Sequence, residues 1–276
     1  MALSVSPARA LRRVYRAGTR VIGQKMTQSQ PQAAVLAIGD EILSGRTQEA
    51  NIGFIALFLV PLGIRVAEAR IVPDETGEIV AAVNALRARY DYVFTTGGIG
   101  PTHDDITAGA VAKAFGVPID FHPEALKILE AHYPPGEFNE ARRRMARVPV
   151  GARLIANSVS KAPGFQIENV FVLAGVPRIM QAMLEGVCDR LAGGPPLISR
   201  SVVCYLAEGR IAQGLGEIQA RHAGVAIGSY PFYRLDRYGA TLVARGADAR
   251  AVDSAVEAIA AMVLRLGGED ALGDVE

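Results

Sequence analysis

Apolar runs and polar punctuation alternate along this chain at the spacing of strands and helices. Residues 33–38 are uninterruptedly apolar and end at Gly39-Asp40, the pattern of a buried strand. Over 49–62, Ile52, Ile55, Leu59 and Leu62 recur at helical intervals, and Pro61 and Gly63 mark the stop. A second strand over 64–72 runs into Pro73-Asp74. Thr76 stands where an N-cap belongs, ahead of a helix over 77–89 with Ile79, Val83 and Leu86 on one face. Residues 92–95 predict the third strand and 107–115 a helix stopped by Gly116 and Pro118.

The alternation continues. Pro123 fits the first turn of a helix over 123–133, which Pro134-Pro135-Gly136 breaks. A basic helical stretch follows over 138–148. Residues 153–155 and 164–167 read as short strands around an irregular loop, and 170–173 as a buried strand closed by Gly175-Val176-Pro177. A helix over 178–191 repeats the step. Strands alternating with helices predict a parallel sheet with right-handed crossovers. Gly193-Gly194-Pro195-Pro196 reads as a boundary. Beyond it the order becomes β-α-β-β-α: a strand over 199–206, a helix over 209–222, strands over 225–228 and 241–244 around an aromatic loop, and an amphipathic helix over 249–266. The fold class is therefore α/β, a three-layer parallel-sheet domain over 33–195 with a small C-terminal α+β lobe over 196–268. An acidic, frayed tail over 269–276 completes the chain.

Composition narrows the function classes. The 276 residues are 50% apolar and 21% charged, without tryptophan, the profile of a soluble globular protein. A formal charge of +1 gives no reason to expect nucleic acid or an acidic membrane as partner. No apolar run is long enough to span a bilayer. Cys188 and Cys204 sit among apolar residues and read as buried reduced thiols. The amino terminus differs: no acid precedes Asp40, while Arg9, Arg12, Arg13, Arg16, Arg20 and Lys25 are basic. Residues 1–32 read as a disordered extension. They are either an organelle transit peptide or an upstream-extended reading frame that truly starts at Met26. The expected location is cytoplasmic, with organelle targeting as the alternative.

The chemistry concentrates after the third strand, in Thr95-Thr96-Gly97-Gly98-Ile99-Gly100-Pro101-Thr102-His103-Asp104-Asp105-Ile106-Thr107. Strand, small residues, acids, helix is the layout of a ligand site at the carboxyl edge of a parallel sheet. Thr96, Gly97 and Gly98 allow a ligand close to backbone N–H groups. Two carboxylates beside them suit a phosphate held with a divalent metal better than a bare phosphate. Acids follow all three strands: Asp40-Glu41, Asp74-Glu75 and Asp104-Asp105. The plainer alternative for one of the last pair is a helix cap. Ser44 and Gly45 offer a hydroxyl and backbone donors. Thr47 and Asn51 are caps by default. His103 is a proton-transfer or metal candidate, whereas His122, His132 and His222 lack ligand spacing. Arg142, Arg143 and Arg144 offer phosphate forks or simply a solvated face.

The glycine loop resembles the signature of the molybdopterin-binding fold shared by MogA, MoeA and gephyrin. It is most similar to the CinA-type branch and to the molybdopterin-binding-like domain of eukaryotic FAD synthases. Ile38-Gly39-Asp40-Glu41-Ile42-Leu43-Ser44-Gly45, Val72-Pro73-Asp74-Glu75, Ala162-Pro163-Gly164-Phe165 and Gly228-Ser229-Tyr230-Pro231 carry the same resemblance, which covers 33–246. It implies a MogA-like three-layer domain. Asp74 and Asp105 match functional aspartates of MogA-like proteins, while Asp104 stands where MogA-like loops carry a basic residue. That departure argues for the CinA-type branch. By resemblance Asn51 contacts ligand, Gly175 and Pro177 belong to a loop that closes over it, and Asn139, Arg142 and Arg143 lie near the site. Lys161 would neutralise a phosphate, and the aromatic loop after Gly228 would stack a base or flavin ring or pack a lobe or dimer contact.

The resemblance implies metal-dependent hydrolysis of a nucleotide pyrophosphate, ADP-ribose in CinA-like domains and FAD in the FAD-synthase domain. Catalytic residues would be Asp74, Asp105 and Glu41. Metal ligands would be Asp104 and Asp105, for Mg, Mn, Co or Ni, with K as a further cation. Substrate would be held by Gly39, Ser44, Gly45, Asn51, Thr96, Gly97, Gly98, Gly100, Lys161, Gly175 and Pro177. Two rivals stand beside it: a molybdopterin-binding protein of cofactor biosynthesis, and a non-catalytic module for a nucleotide or protein. The ligand is in each enzyme reading a nucleotide or pterin, and the assembly a homodimer or homotrimer.

Overall fold

The computed structural model describes residues 30–273 except 235 and 269; residues 1–29 of the basic leader, Met26 among them, and the last three residues lie outside the described residues, while Gln32, expected in the extension, is already strand. The chain divides into two compact units, one ending at Gly194 and one beginning at Pro195.

In the first unit the elements run β1 (Gln32–Ile38), α1 (Asp40–Leu43), α2 (Asn51–Leu59), β2 (Arg65–Val72), α3 (Thr76–Arg87), β3 (Tyr92–Thr96) and α4 (Thr107–Phe115). Then come β4 (Ile119–Phe121), α5 (Pro123–His132), α6 (Glu140–Arg144), β5 (Arg147–Pro149), β6 (Arg153–Ile155), β7 (Gly164–Ile167), β8 (Val170–Leu173) and α7 (Pro177–Glu185). The uninterrupted apolar run of β1 is buried at every position but the first. Such a strand belongs inside a sheet covered on both faces. The six-stranded sheet has the order β2-β1-β3-β8-β7-β6, with β1 parallel to β2 and β3, and β3 parallel to β8.

Alternate side chains of β1 serve opposite faces. Leu36 and Ile38 join Ile79, Val83 and Leu86 of α3 and Val111 of α4 in one core. Val35 joins Ile55 and Leu59 of α2 and Met180 and Leu184 of α7 in the other. Phe94 and Phe171, from neighbouring strands, stack in this second core with ring centroids 5.2 Å apart. Each such fully buried side chain contributes about 1.5–3 kcal/mol. The three layers and the parallel centre are as the pattern predicts. The sheet is only mostly parallel, because β7 and β6 run antiparallel to their neighbours.

Other expectations are corrected. Thr76 is the first helical residue of α3 and Glu75 precedes it without a side-chain cap. The stretch over 138–148 is one short helix, α6, and then β5, which pairs antiparallel with β4. Met145 turns the chain, and Val148 is buried in the α3–α4 core rather than continuing a helical face. The helix over 178–191 stops at Glu185, followed by a short 3-10 turn at Cys188–Arg190. Cys188 is only half-buried, and burial still pushes its thiol up to about 11.

The second unit contains β9 (Ile198–Cys204), α8 (Glu208–Arg221), β10 (Ala226–Arg234), β11 (Arg237–Gly246), α9 (Ala249–Arg265) and β12 (Asp270–Gly273). Its antiparallel sheet has the order β10-β11-β9-β12. Ile211 and Ile218 of α8 and Val252 and Ile259 of α9 pack with Val202 and Leu242 of the sheet. The predicted aromatic loop is instead strand: Tyr230 pairs with Thr241 and Phe232 with Gly239 in one long hairpin. Part of the tail predicted as frayed forms β12, which pairs with β9.

Candidate functional site

Asp40 follows β1, Asp74 follows β2, and Asp104 and Asp105 follow β3. These strands are parallel, so their carboxyl ends share one edge of the sheet. The Asp40 N–H donates to Asp74 Oδ2 at 3.0 Å, which fixes the second acid against the first. Asp74 is half-buried. Burial above all, then the charges of Glu41, Asp40 and Asp104, push its carboxyl above the usual range, against the opposing pull of the Asp40 N–H. Glu41 folds back so that its carboxylate lies over Gly39.

The glycine loop begins where β3 ends. The Gly97 N–H donates to Leu173 O at 3.3 Å and is thereby spent on the β8 side. Among the described residues no acceptor takes the N–H groups of Gly98, Ile99 or Gly100. Successive donors of this kind make an anion cradle. Gly98 packs against the hydroxyl of Thr107, beside Asp74 Oδ1. Thr107 is fully buried and its hydroxyl has no hydrogen-bond partner among the described residues. Gly100 lies against the carboxylate of Asp105.

Asp105 and Asp104 diverge. Asp105 Oδ2 accepts from the Thr102 N–H at 2.8 Å and from the Thr102 hydroxyl at 2.5 Å. Asp104 is exposed. His103 is 94% exposed, its Nδ1 3.9 Å from Asp104 Oδ1. Among the described residues no three His, Cys, Asp or Glu side chains are grouped as a metal cage. The donors on this edge are nonetheless carboxylate oxygens, which suit a hard divalent cation. Magnesium in particular is commonly held by one or two carboxylates together with substrate phosphates, without a protein cage. A cation arriving with a phosphate-bearing ligand would draw on Asp104 and the second oxygen of Asp105.

Asn51 opens α2 and is 7% exposed. Its Nδ2 donates to Thr96 Oγ1 and to Gly175 O, both at 2.8 Å, and Thr96 Oγ1 donates onward to Ala174 O. This bracket holds the loop after β8 against the glycine loop: a Cβ on Gly175 would stand 3.2 Å from Gly97 Cα. Asn51 Oδ1 is buried and meets no donor among the described residues. Pro177 is exposed at the first position of α7.

Several expected donors are not available to a ligand. The Gly39 N–H bonds Val72 O, the Ser44 N–H bonds Asp40 O, and the Gly45 N–H bonds Ile42 O. The Ser44 hydroxyl donates to Glu41 O at 3.3 Å. Arg142 is committed locally: Nη1 donates to Glu137 and the guanidinium lies 4.2 Å from the Tyr133 ring centroid. Arg143 faces Glu140, and Asn139 caps α6.

Lys161 reaches the edge by topology. β7 and β6 are antiparallel to their neighbours, so the loop joining them lies at the carboxyl end of β8. Asn157, 5% exposed, organises this loop. Its Oδ1 accepts from the Val159 and Ser160 N–H groups, and its Nδ2 donates to Ser160 Oγ and Ala162 O. Lys161 carries φ 64 and makes no ion pair among the described residues. An Asn three residues before a Ser in a Gly/Pro-flanked loop is the available signal for this hub.

A cavity of about 480 Å³ opens on the α4 side of the glycine loop. Gly100, Thr102, His103 and Asp105 form one wall, and Arg144 and Arg147 another. Arg147 had no signal beyond its charge.

Residues 34–193 match the family described as probable molybdopterin binding domain. The chain belongs to that family. Residues 196–265 match the FAD synthase middle domain. A CinA-like protein of Citrifermentans bemidjiense is 44% identical over 160 residues, covering 56% of this chain and 39% of that protein. A protein of Pyrobaculum calidifontis is 36% identical over 212 residues, covering 73% of this chain and 81% of its own length. Among solved structures, CinA of Thermoplasma acidophilum, whose function is unknown, superposes with a TM-score of 0.56 at 33% identity, over 59% of this chain and 99% of that one. The chain is thus a CinA-type member of the MogA-like fold, and spans well under half of the Citrifermentans relative. Among the described residues no helix is long and apolar enough to cross a membrane.

Proposed function

We propose that this chain hydrolyses a nucleotide pyrophosphate of the ADP-ribose or FAD type, with a divalent cation. The observation that carries the reading is Asp74: a half-buried carboxylate, oriented by a backbone N–H, raised by burial and by neighbouring acids, and set beside Gly98, the first of three loop N–H donors that meet no acceptor among the described residues. A carboxylate raised by its surroundings is a stronger general base than a free one. A site that only binds an anion gains nothing from it.

Asp74 takes a proton from water as the water oxygen bonds to one phosphorus. The bridging P–O bond breaks, and its electron pair leaves on the second phosphate, giving AMP and a second phosphate ester. The N–H groups of Gly98, Ile99 and Gly100 hold the non-bridging oxygens. A bound divalent cation, held by Asp104 and Asp105, would supply charge neutralisation at the pyrophosphate. Lys161 offsets part of the remaining charge, and Glu41 adds to the field that keeps Asp74 basic. The Asn51 bracket keeps the two loops at working distance. Molybdopterin binding remains the second reading, favoured by the family match over 34–193.

The test is AMP release from ADP-ribose and FAD, with Mg, Mn, Co or Ni added in turn. Release that stops with EDTA and falls at least about 100-fold in Asp105→Asn is the expected result. No release with any metal from folded protein sinks the hydrolase reading.

Lys161 supplies a separate check. A lysine in the left-handed region costs on the order of 1 kcal/mol that glycine does not incur. Lys161→Gly is therefore expected to raise the urea midpoint while lowering AMP release. A lower midpoint would show that the loop has no strain to relieve.

A further inference from the structure

The cavity beside α4 contains groups that the hydrolytic scheme leaves unused. Its floor is apolar, built from Ile99, Ile119, Val148 and Phe165. Two cations, Arg144 and Arg147, face it from α6 and β5. Among the described residues Arg144 makes no ion pair, and Arg147 has only a distant ring contact, 6.0 Å from the centroid of Phe121. Asp105 is the one carboxylate in the lining, and Thr102 already satisfies one of its oxygens twice.

The first turn of α4 adds to this field. Ala108 and Gly109 line the cavity, and no protein acceptor takes their N–H groups among the described residues. The nine-residue helix has no acid in its first turn, and the Asp105 carboxylate, two residues before it, is occupied by Thr102. An apolar floor with convergent donors at one side selects a ligand with a flat apolar body and a compact anion. A volume of about 480 Å³ accommodates a nucleoside-sized group.

We infer that this cavity is a subsite for a phosphate monoester carried on an aromatic ring system, the ring on the Ile119–Phe165 floor and the phosphate between Arg144, Arg147 and the start of α4. The subsite deepens the hydrolase reading and rests on it for the choice of ligand, as the place where one phosphorylated product is held. It draws on the two arginines of this stretch that make no ion pair among the described residues, whereas Arg142 and Arg143 face Glu137 and Glu140.

The experiment is calorimetric titration of the full chain with AMP, adenosine and inorganic phosphate, in the absence of turnover. AMP should bind at least about tenfold more tightly than either fragment, and Arg144→Ala and Arg147→Ala should each weaken AMP about tenfold. Both side chains are exposed, so neither truncation threatens folding, and the lysine variants should restore part of the affinity. AMP affinity unchanged in both alanine variants, or no AMP binding to the parent chain, overturns the subsite. Arginine-dependent AMP binding by a chain that releases no AMP supports the subsite and sinks only the hydrolase reading.

Discussion

Asp74→Asn should reduce AMP release by about 10²–10⁴-fold, the range for loss of a positioned general base. The amide still accepts the Asp40 N–H through its oxygen, so the loop keeps its shape and the loss belongs to the proton transfer. Turnover by the parent chain should rise with pH through the raised carboxyl of Asp74, and the variant should lack that limb. Stability should move the opposite way. Burial and three neighbouring acids raise Asp74 in the folded state. A carboxyl raised on folding contributes stability below its unfolded value and loses it as pH rises through its folded value. At neutral pH the ionised Asp74 is therefore a cost, which asparagine removes. Asp74→Asn should show a higher urea midpoint at pH 7, an advantage that disappears once the parent chain is acidified below the ordinary carboxylate range. A variant both inactive and less stable at neutral pH would mean that Asp74 holds the edge together instead of serving as its base.

That balance, function held at a cost to stability, has a counterpart at Lys161. Both residues break a local rule: one is an acid among acids, the other a lysine with φ 64. Rule-breaking of this kind concentrates at functional sites, where the surrounding structure holds what the segment alone would relax. Here the surroundings are identifiable. The Asp40 N–H holds Asp74, and the buried Asn157 amide holds the loop before Lys161.

Elements whose burial is set by their own apolar pattern were legible. β1 is apolar without a break and sits inside the sheet, and the 3.6-residue faces of α3 and α9 meet the cores their sequences describe. The acid cluster was legible for a related reason, because parallel strands bring their carboxyl ends to one edge whatever the loops do. Elements decided by partners distant in sequence were not. β4 and β5 have three residues each, too short for a period, and exist because each pairs with the other. The aromatic stretch after Gly228 carries Pro231 and glycine neighbours and so reads as loop, yet β11 supplies a pairing partner for its whole length. Side-chain commitments were the least legible. Arg142 and Arg144 are two residues apart with the same chemistry, and only the position of Glu137 and Tyr133 takes the first away from a ligand.

The largest stability effect should come from Gly97→Ala. Gly97 adopts φ 110, a conformation side chains rarely take, and a Cβ there would be driven into the carbonyl oxygen of Ile38 at the end of β1. Backbone cannot swing aside as a flexible side chain can. The Gly97 N–H is meanwhile tied to Leu173 O, and Gly175 closes the remaining side. Three parallel strands, β1, β3 and β8, thus converge on one residue with no room for a methyl group. Conformational strain and overpacking should together cost about 3–5 kcal/mol. Gly45→Ala isolates the first contribution: Gly45 has φ 72 but open space around the Cβ position, so it should lose only about 1–2 kcal/mol. Urea unfolding of the two variants compares them directly. Equal losses would show that β1 and β3 separate easily at their carboxyl ends. A much larger loss for Gly97→Ala would show that the same close approach that leaves the next three N–H groups unsatisfied also locks the central strands, so that the cradle and the core share one constraint.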